Sequence, residues 1–569
     1  MKRMLSSNMI QAAAGTLAVG ATVAVAAFSA GPAIASTHHA TAHPASGTPL
    51  TVESSPVGEA NGFNPFVPTS AAEIVGATSL IYEPLFQANI LKPGTYYPFL
   101  ATKYAWGKGG TSITFTIRQG VKWSDGTPFS AADVAFTYTL IKNNAAINGG
   151  GLAITGVTTS GNTVTLKFAS PQYANFQNIA GDVYIVPQHI WDASAIESSP
   201  ATYADTTPVG TGPYTVETVG ASGVVLQANP SYWGGPWNVG GGAPAVSTVE
   251  FPTLSSNTSA LSALETGQVL WGGNFIAGVK QAFAGKPLTF WSPPLNTNSL
   301  EPNLSEWPTN QLAVRQAISL AINRKAISSQ GEDGLEPVAV NSSGLTLPEF
   351  SQFLSPSVKT DSLSSGAQPK AAEKVLEAAG YKKVGKWFAL NGKVVKLTVT
   401  DPAAYSDYAA DDAIIAKDLQ AAGIDATFDG LAVNQWNDDM ADGDFQLTQH
   451  WSQTSVSPYQ LYDDWLNGAL ATKSNRAGDF EGLKSSAVDA DLKTLASADT
   501  VAQQVKALGP IEQYVATNLP VIPTVYGVSW GEFNTSDFTG WPTATNDYES
   551  AQPSTPTNEV VVLHLKPGS

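Results

Sequence analysis

Two periodicities divide the chain. Between residues 50 and 290 apolar and polar positions alternate over short runs. Ser112–Arg118 (SITFTIR) and Asn162–Phe168 (NTVTLKF) have period two and predict half-buried strands. Val224–Gln227 and Val246–Phe251 predict further short strands. Asp125-Gly126, Ser160-Gly161-Asn162 and Gly240-Gly241-Gly242 mark turns between them. One helix interrupts this half, Ser130–Asn143, with Ser130 as N-cap and Asp133 at the third helical position. From about residue 310 the period lengthens. Asn310–Ala326, Pro369–Gly380 and Ala409–Gly423 carry apolar stripes at helical spacing, the last two closing on glycine. Lys396–Thr400 and Ala426–Phe428 predict strands on either side of the third helix, a β-α-β order that predicts an α/β domain. A β return is expected at Pro520–Tyr526 and Val560–Leu565.

The ends and the composition narrow the class. Lys2 and Arg3 precede an Ala/Val-rich stretch from Ile10 to Ala30, and Ala33-Ile34-Ala35 has the small-residue spacing of a cleavage site. Residues 1–35 therefore read as an export signal and 36–47 as a flexible tether. The protein is expected to be exported, periplasmic or at the cell surface. The alternative is that the same apolar stretch stays as an anchor. The 569 residues include no cysteine, which excludes disulfides, thiolate metal sites and a lipidated N-terminal Cys. The net charge of −17 argues against a nucleic-acid partner, since phosphates need a basic face. His189, His450 and His564 are far apart in sequence, so neither a metal nor another cofactor is expected.

Two motifs for chemistry are incomplete. Gly527-Val528-Ser529-Trp530-Gly531 matches G-x-S-x-G, with Asp537, Asp547 and His564 downstream. A secreted serine hydrolase using Ser529 is the rival reading, although the loop-like Glu532–Thr543 stands where that mechanism needs a helix. Gly380–Lys386 approaches a phosphate-binding loop but places Trp387 where Ser or Thr would hold Mg²⁺. The aromatic content says more: 14 Trp, 18 Tyr and 22 Phe, many of them in amide- and hydroxyl-rich runs. Trp271 with Asn274, Trp436, Trp451 with Ser452 and Gln453, and Tyr526 with Trp530 have the composition of a cleft for a polar organic ligand.

At Ile81–Phe86 (IYEPLF) and Phe115–Val134 (FTIRQGVKWSDGTPFSAADV) the chain resembles the extracellular solute-binding proteins of family 5, the oligopeptide- and dipeptide-binding components of ABC importers. The resemblance continues through Val186–Trp191, Pro208–Tyr214, Asn229–Gly235, Ala313–Lys325, Ala371–Tyr381 and Leu519–Pro523. It implies an α/β fold, a two-lobed periplasmic-binding-protein clamshell of class II type with an additional inserted domain. Lobe I would comprise 48–80, 206–290 and 526–569, domain II 81–205 and lobe III 291–525, with hinge crossings near Asn296 and Tyr526. It further implies a non-catalytic, monomeric protein that captures a peptide or oligosaccharide and delivers it to a permease and ATPase complex. Trp436 and Trp451 fall at aromatic pocket positions of the oligopeptide type, Tyr526 at a hinge-side pocket tyrosine, and Asn61, Phe63 and Asn64 where lobe I lines the cleft. Peptide binders of the family place an Asp shortly after the tryptophan matching Trp451. Here Ser452-Gln453-Thr454 follows, and no carboxylate comes before Asp463. Ser457-Pro458-Tyr459 and Gly540–Thr543 look more like oligosaccharide-binding members. These departures predict a neutral ligand whose affinity is nearly independent of ionic strength.

Overall fold

Strand alternation translates directly into sheet faces in the first half. A computed structural model describes residues 47–568, apart from 56, 59–61, 221, 235–240, 255–256, 454–455, 473–474 and 477. The expected export segment, all of the tether but Gly47, and Asn61 lie outside the described residues. Ser112–Ile117 buries Ile113, Phe115 and Ile117 and leaves the residues between them half-buried. It is an inner strand of an antiparallel sheet ordered Ala101–Trp106, Ser112–Ile117, Thr163–Phe168, Ile154–Ser160. The helix Ala131–Asn143 covers this sheet. Its start is fixed by a capping box, in which Ser130 Oγ accepts from Ala132 N at 3.1 Å while Asp133 accepts from Ser130 N at 2.8 Å. A second sheet is ordered Leu50–Thr51, Thr248–Pro252, Gly223–Ala228, Tyr214–Gly220. One apolar core runs through both sheets and takes in Phe533, Phe538, Trp541 and Val561 from the C-terminal segment. The residues expected to form lobe I and domain II therefore share a core.

The second half is built on a five-stranded mixed sheet ordered Asp425–Leu431, Lys396–Pro402, Leu447–Trp451, Asn298–Pro302, Ile522–Val525. Lys396–Pro402 and Asp425–Leu431 are parallel and are joined by the helix Ser406–Ala421, which confirms the β-α-β unit. Its core includes Leu300, Ile318, Leu397, Ile415 and Val525. The chain passes from the first core to the second through residues near Asn296 and returns near Tyr526. These passages run side by side: Leu295 N donates to Gly527 O at 2.8 Å, and Pro294 bridges Val528.

Two element expectations fail. Val560–Leu565 is not a strand but lies in the helix Asn558–His564, whose Val560, Val561 and Val562 are all buried. Packing on both sides overrides the β preference of the three valines. The helix expected over Asn310–Ala326 stops at Ala321, because Asn323 restarts the chain by capping Ala326 N at 3.1 Å. Arg324 is drawn inward there to donate to Pro523 O at 2.7 Å and Ser319 O at 2.9 Å.

Candidate ligand-binding cleft

A cavity of about 960 Å³ lies between the two cores. One wall comes from Pro65–Pro68, Asn148–Leu152, Gln172–Tyr184 and Asn274-Phe275. The other comes from Tyr405–Tyr408 and the Trp451–Leu470 stretch, with Asn296, Asn298, Gly527 and Trp530 from the crossing segments between them. The walls touch. From the helix Pro458–Leu466, Gln460 Nε2 donates to Asn178 Oδ1 at 2.6 Å and Asp182 Oδ2 at 3.2 Å, and Ser457 Oγ donates to Ala174 O at 3.3 Å. Ile90, Leu295 and Val456 form an apolar contact alongside. The helix begins sharply because Ser457 caps Tyr459 N at 3.1 Å and Pro458 sets the first turn. That fixes Tyr459, Asp463 and Asp464 toward the cavity they line.

Of the residues singled out in the sequence, Asn274, Trp451, Gln453, Tyr459 and Trp530 line the cavity. Trp451 keeps 39% of its surface exposed. It is held from behind by His450, stacked at 4.4 Å, and by Trp436 at 6.0 Å. Burial presses the His450 imidazole down, but Glu301, 3.6 Å away, and Asp464 outweigh it and leave the group above its ordinary value. Phe63, Asn64, Trp271, Trp436, Ser452 and Tyr526 do not line the cavity. Phe63 is core, and Asn64 ties down Pro200 O and Tyr203 O at 2.8 and 2.7 Å, shaping the Pro65–Pro68 rim. Trp271 is buried against Trp541 and donates to Ala551 O at 2.7 Å. Trp436 donates Nε1 to Thr448 Oγ1 at 2.9 Å. Ser452 Oγ accepts from Thr297 N at 3.0 Å, joining two strands, and the Tyr526 hydroxyl accepts from Val340 N at 3.2 Å. Each satisfies a buried polar group, and that accounts for a polar neighbourhood around an aromatic as well as a cleft does.

The serine-hydrolase constellation does not assemble. Ser529 is fully buried, its Oγ 2.6 Å from Ser550 Oγ and accepting from Gln552 N at 3.2 Å. The strand Glu532–Asn534 follows it instead of a helix. His564 Nδ1 pairs with Val560 O at 2.7 Å and its ring stacks on Tyr548.

The sequence reading missed the carboxylates. Glu73, Asp182, Glu336, Asp407, Asp463 and Asp464 line the cavity, and among the described lining residues there is no Lys, Arg or His. Asp463 and Asp464 follow Trp451 by twelve and thirteen positions, and the helix Pro458–Leu466 turns them back toward it. Burial raises Asp182 and Asp463 to about 6 and Asp464 to about 7, with Gln177 and Gln460 pulling Asp182 partly back. Glu336 is pushed well up by burial and by its neighbours Glu332 and Asp407, against bonds from Val528 N and Asn298. Thirteen Asn and Gln side chains and the rings of Phe66, Tyr184, Phe275, Tyr405, Tyr408, Trp451, Tyr459 and Trp530 also line it. The Gln172–Asn178 run (QYANFQN) has the amide-and-aromatic composition used to single out the other segments and was readable by that signal.

Comparison with known proteins agrees with this architecture. The model described as bacterial extracellular solute-binding proteins, family 5 Middle, matches residues 95–472. The nickel-binding periplasmic protein of Escherichia coli is 27% identical over 321 residues, which is 54% of this chain and 56% of that protein. In structure, the chain is similar to the periplasmic oligopeptide-binding protein of an oligopeptide ABC transporter from Thermotoga maritima, solved with mannohexaose bound. The TM-score is 0.82 at 24% identity, over 91% of this chain and 98% of that one. The oligopeptide-binding protein AppA of Bacillus subtilis, in complex with a nonapeptide, gives a TM-score of 0.74 at 19% identity over 92% and 99%.

Proposed function

From the premise that this chain belongs to the bacterial extracellular solute-binding proteins, family 5, which serve ABC importers, we propose that it captures an oligosaccharide between its two walls and presents it to a permease and ATPase complex. The carrying observation is the lining: aromatic faces with thirteen amide side chains and, among the described residues, no basic group. Aromatic faces stack on pyranose rings, and amide and carboxyl groups hydrogen-bond to sugar hydroxyls. About 960 Å³ is room for several sugar rings. The similar Thermotoga protein bound to mannohexaose supports the same ligand class.

A peptide is the second reading. Asp463 and Asp464 favour it, because either could pair with an α-ammonium. Against it, a free peptide carboxylate would enter a wall with no basic side chain among its described residues, at a desolvation cost nothing there offsets. Calorimetry of the purified protein against cello-, xylo- and manno-oligosaccharides and a panel of di- to nonapeptides decides between them. Saccharide binding with no peptide binding is expected. Tight binding of free-amine peptides, lost on N-acetylation, overturns the saccharide reading.

A further inference from the structure

The wall is one-sided in charge and also in hydrogen bonding. Gln87 donates Nε2 to Pro556 O at 3.0 Å, Asn175 donates Nδ2 to Gln172 Oε1 at 2.9 Å, and Gln177 donates Nε2 to Asp182 Oδ1 at 2.7 Å. In each case the nitrogen is committed to an acceptor, which fixes the orientation of the amide. The oxygen is then left over. Gln87 Oε1, Asn175 Oδ1 and Gln177 Oε1 are buried without a protein partner, as are Asn296 Oδ1 and Asp407 Oδ1. All five belong to residues lining the cavity, and all five are acceptors. Gln87 and Asn175 are 3% and 5% exposed. These oxygens are sealed within the wall and the three amide nitrogens are committed, so these amides add little to the polar face a ligand meets, which falls to the carboxyl groups. The ion pairs among the described residues bring no cation to this wall. Lys92, Lys286, Lys370 and Lys383 pair with Asp547, Glu265 and Glu373, none of them in this wall. His450 is spent behind Trp451 on Glu301.

A neutral sugar brings a donor and an acceptor with every hydroxyl. Its acceptors would face six acidic side chains and amides whose N–H groups are already partly committed. A ligand rich in donors and carrying positive charge fits both observations. We propose that the cleft selects a cationic saccharide, an amino-sugar oligomer bearing free ammonium groups and no carboxylate. This rests on the saccharide reading above and sharpens it. The ammonium groups would lie against Asp182, Asp463 and Asp464, where one wall approaches the other.

The test is calorimetry on the intact protein with glucosamine tri- and tetrasaccharides, their fully N-acetylated counterparts and cello-oligosaccharides of equal length, at low and high salt. A lysine-containing peptide amide is run in parallel. The free-amine sugars are expected to bind at least about tenfold tighter than both neutral series, equivalent to about 1.4 kcal/mol. That preference should shrink as salt is raised. In Asp463→Asn the preference should fall to within about threefold. If that variant melts early, Asp464→Asn is read instead. Neutral sugars binding as tightly as the free amines, or an unchanged preference in folded variants, overturns the cationic inference and leaves the saccharide reading standing. Binding of the peptide amide with no saccharide binding overturns both.

Discussion

The two tryptophans at positions 436 and 451 look alike in sequence, each set among amides, yet they do different work. Trp451 presents a partly exposed face to the cavity, and Trp436 is 3% exposed behind it. Trp451→Ala should weaken ligand binding more than about tenfold while shifting the melting temperature little. Trp436→Ala should cost about 3–5 kcal/mol of stability, read by denaturant unfolding, because it removes a buried ring and the N–H that the Thr448 hydroxyl accepts. Ser529→Ala loses the bonds to Ser550 and Gln552 N and should cost about 1–2 kcal/mol, with ligand affinity unchanged. An affinity loss in that variant would place the serine in the site after all. These outcomes separate what was legible from what was not. That aromatics in polar company mark a cleft was readable. Which of them face it was not, because Trp271 and Trp436 bury their indole N–H on partners far away in sequence or on the strand that follows.

Single elements join distant parts of the molecule. The helix Pro458–Leu466 carries the contact between the walls through Gln460 and lines the cavity through Tyr459, Asp463 and Asp464. Gln460→Ala removes the bonds to Asn178 and Asp182. Each is worth about 1 kcal/mol, about 2 kcal/mol together, so ligand affinity should fall by up to about thirtyfold even though Gln460 is replaced without disturbing the aromatic platform. Small-angle scattering with saturating ligand should show wild type more compact than this variant. Equal curves would mean the contact does not hold the walls together. The helix itself is not readable from the sequence, where Ser457-Pro458-Tyr459 shows only a family likeness. The strands Ser112–Ile117 and Thr163–Phe168 are, since one buried face leaves a clean alternation. The C-terminal valines misled because a run of β-branched residues buried on all sides has no period to read.

Over the whole molecule, buried carboxylates outnumber the cations available to them. Glu332, Glu549 and Asp479 are raised by burial to about 8, and Glu83, Asp412 and Glu512 to about 7, from ordinary values of 4.5 for Glu and 3.8 for Asp. A carboxyl raised in the folded state binds its proton more tightly there than in the unfolded chain. The stability it contributes is complete below the unfolded value and is lost as pH climbs through the folded one. Thermal stability should therefore be highest in mildly acid solution and decline steadily between 4.5 and about 8. A melting temperature that rises over that window would contradict the assignment of these groups. Sequence charge of −17 pointed to an acidic protein, but only the fold shows how many of those carboxylates are internal, because pairing across segments such as Glu83 with Glu559 has no sequence period. The doubled duty of the helix Pro458–Leu466 has its own consequence for transport. Under the proposed reading one element both reads the solute and draws the walls together, so a solute that misplaces the helix would be held in an ajar complex with a short lifetime. Discrimination is then exercised twice, once in affinity and again in how long a loaded protein stays shut during its encounter with the membrane machinery, so that imported flux would be more selective than equilibrium binding alone.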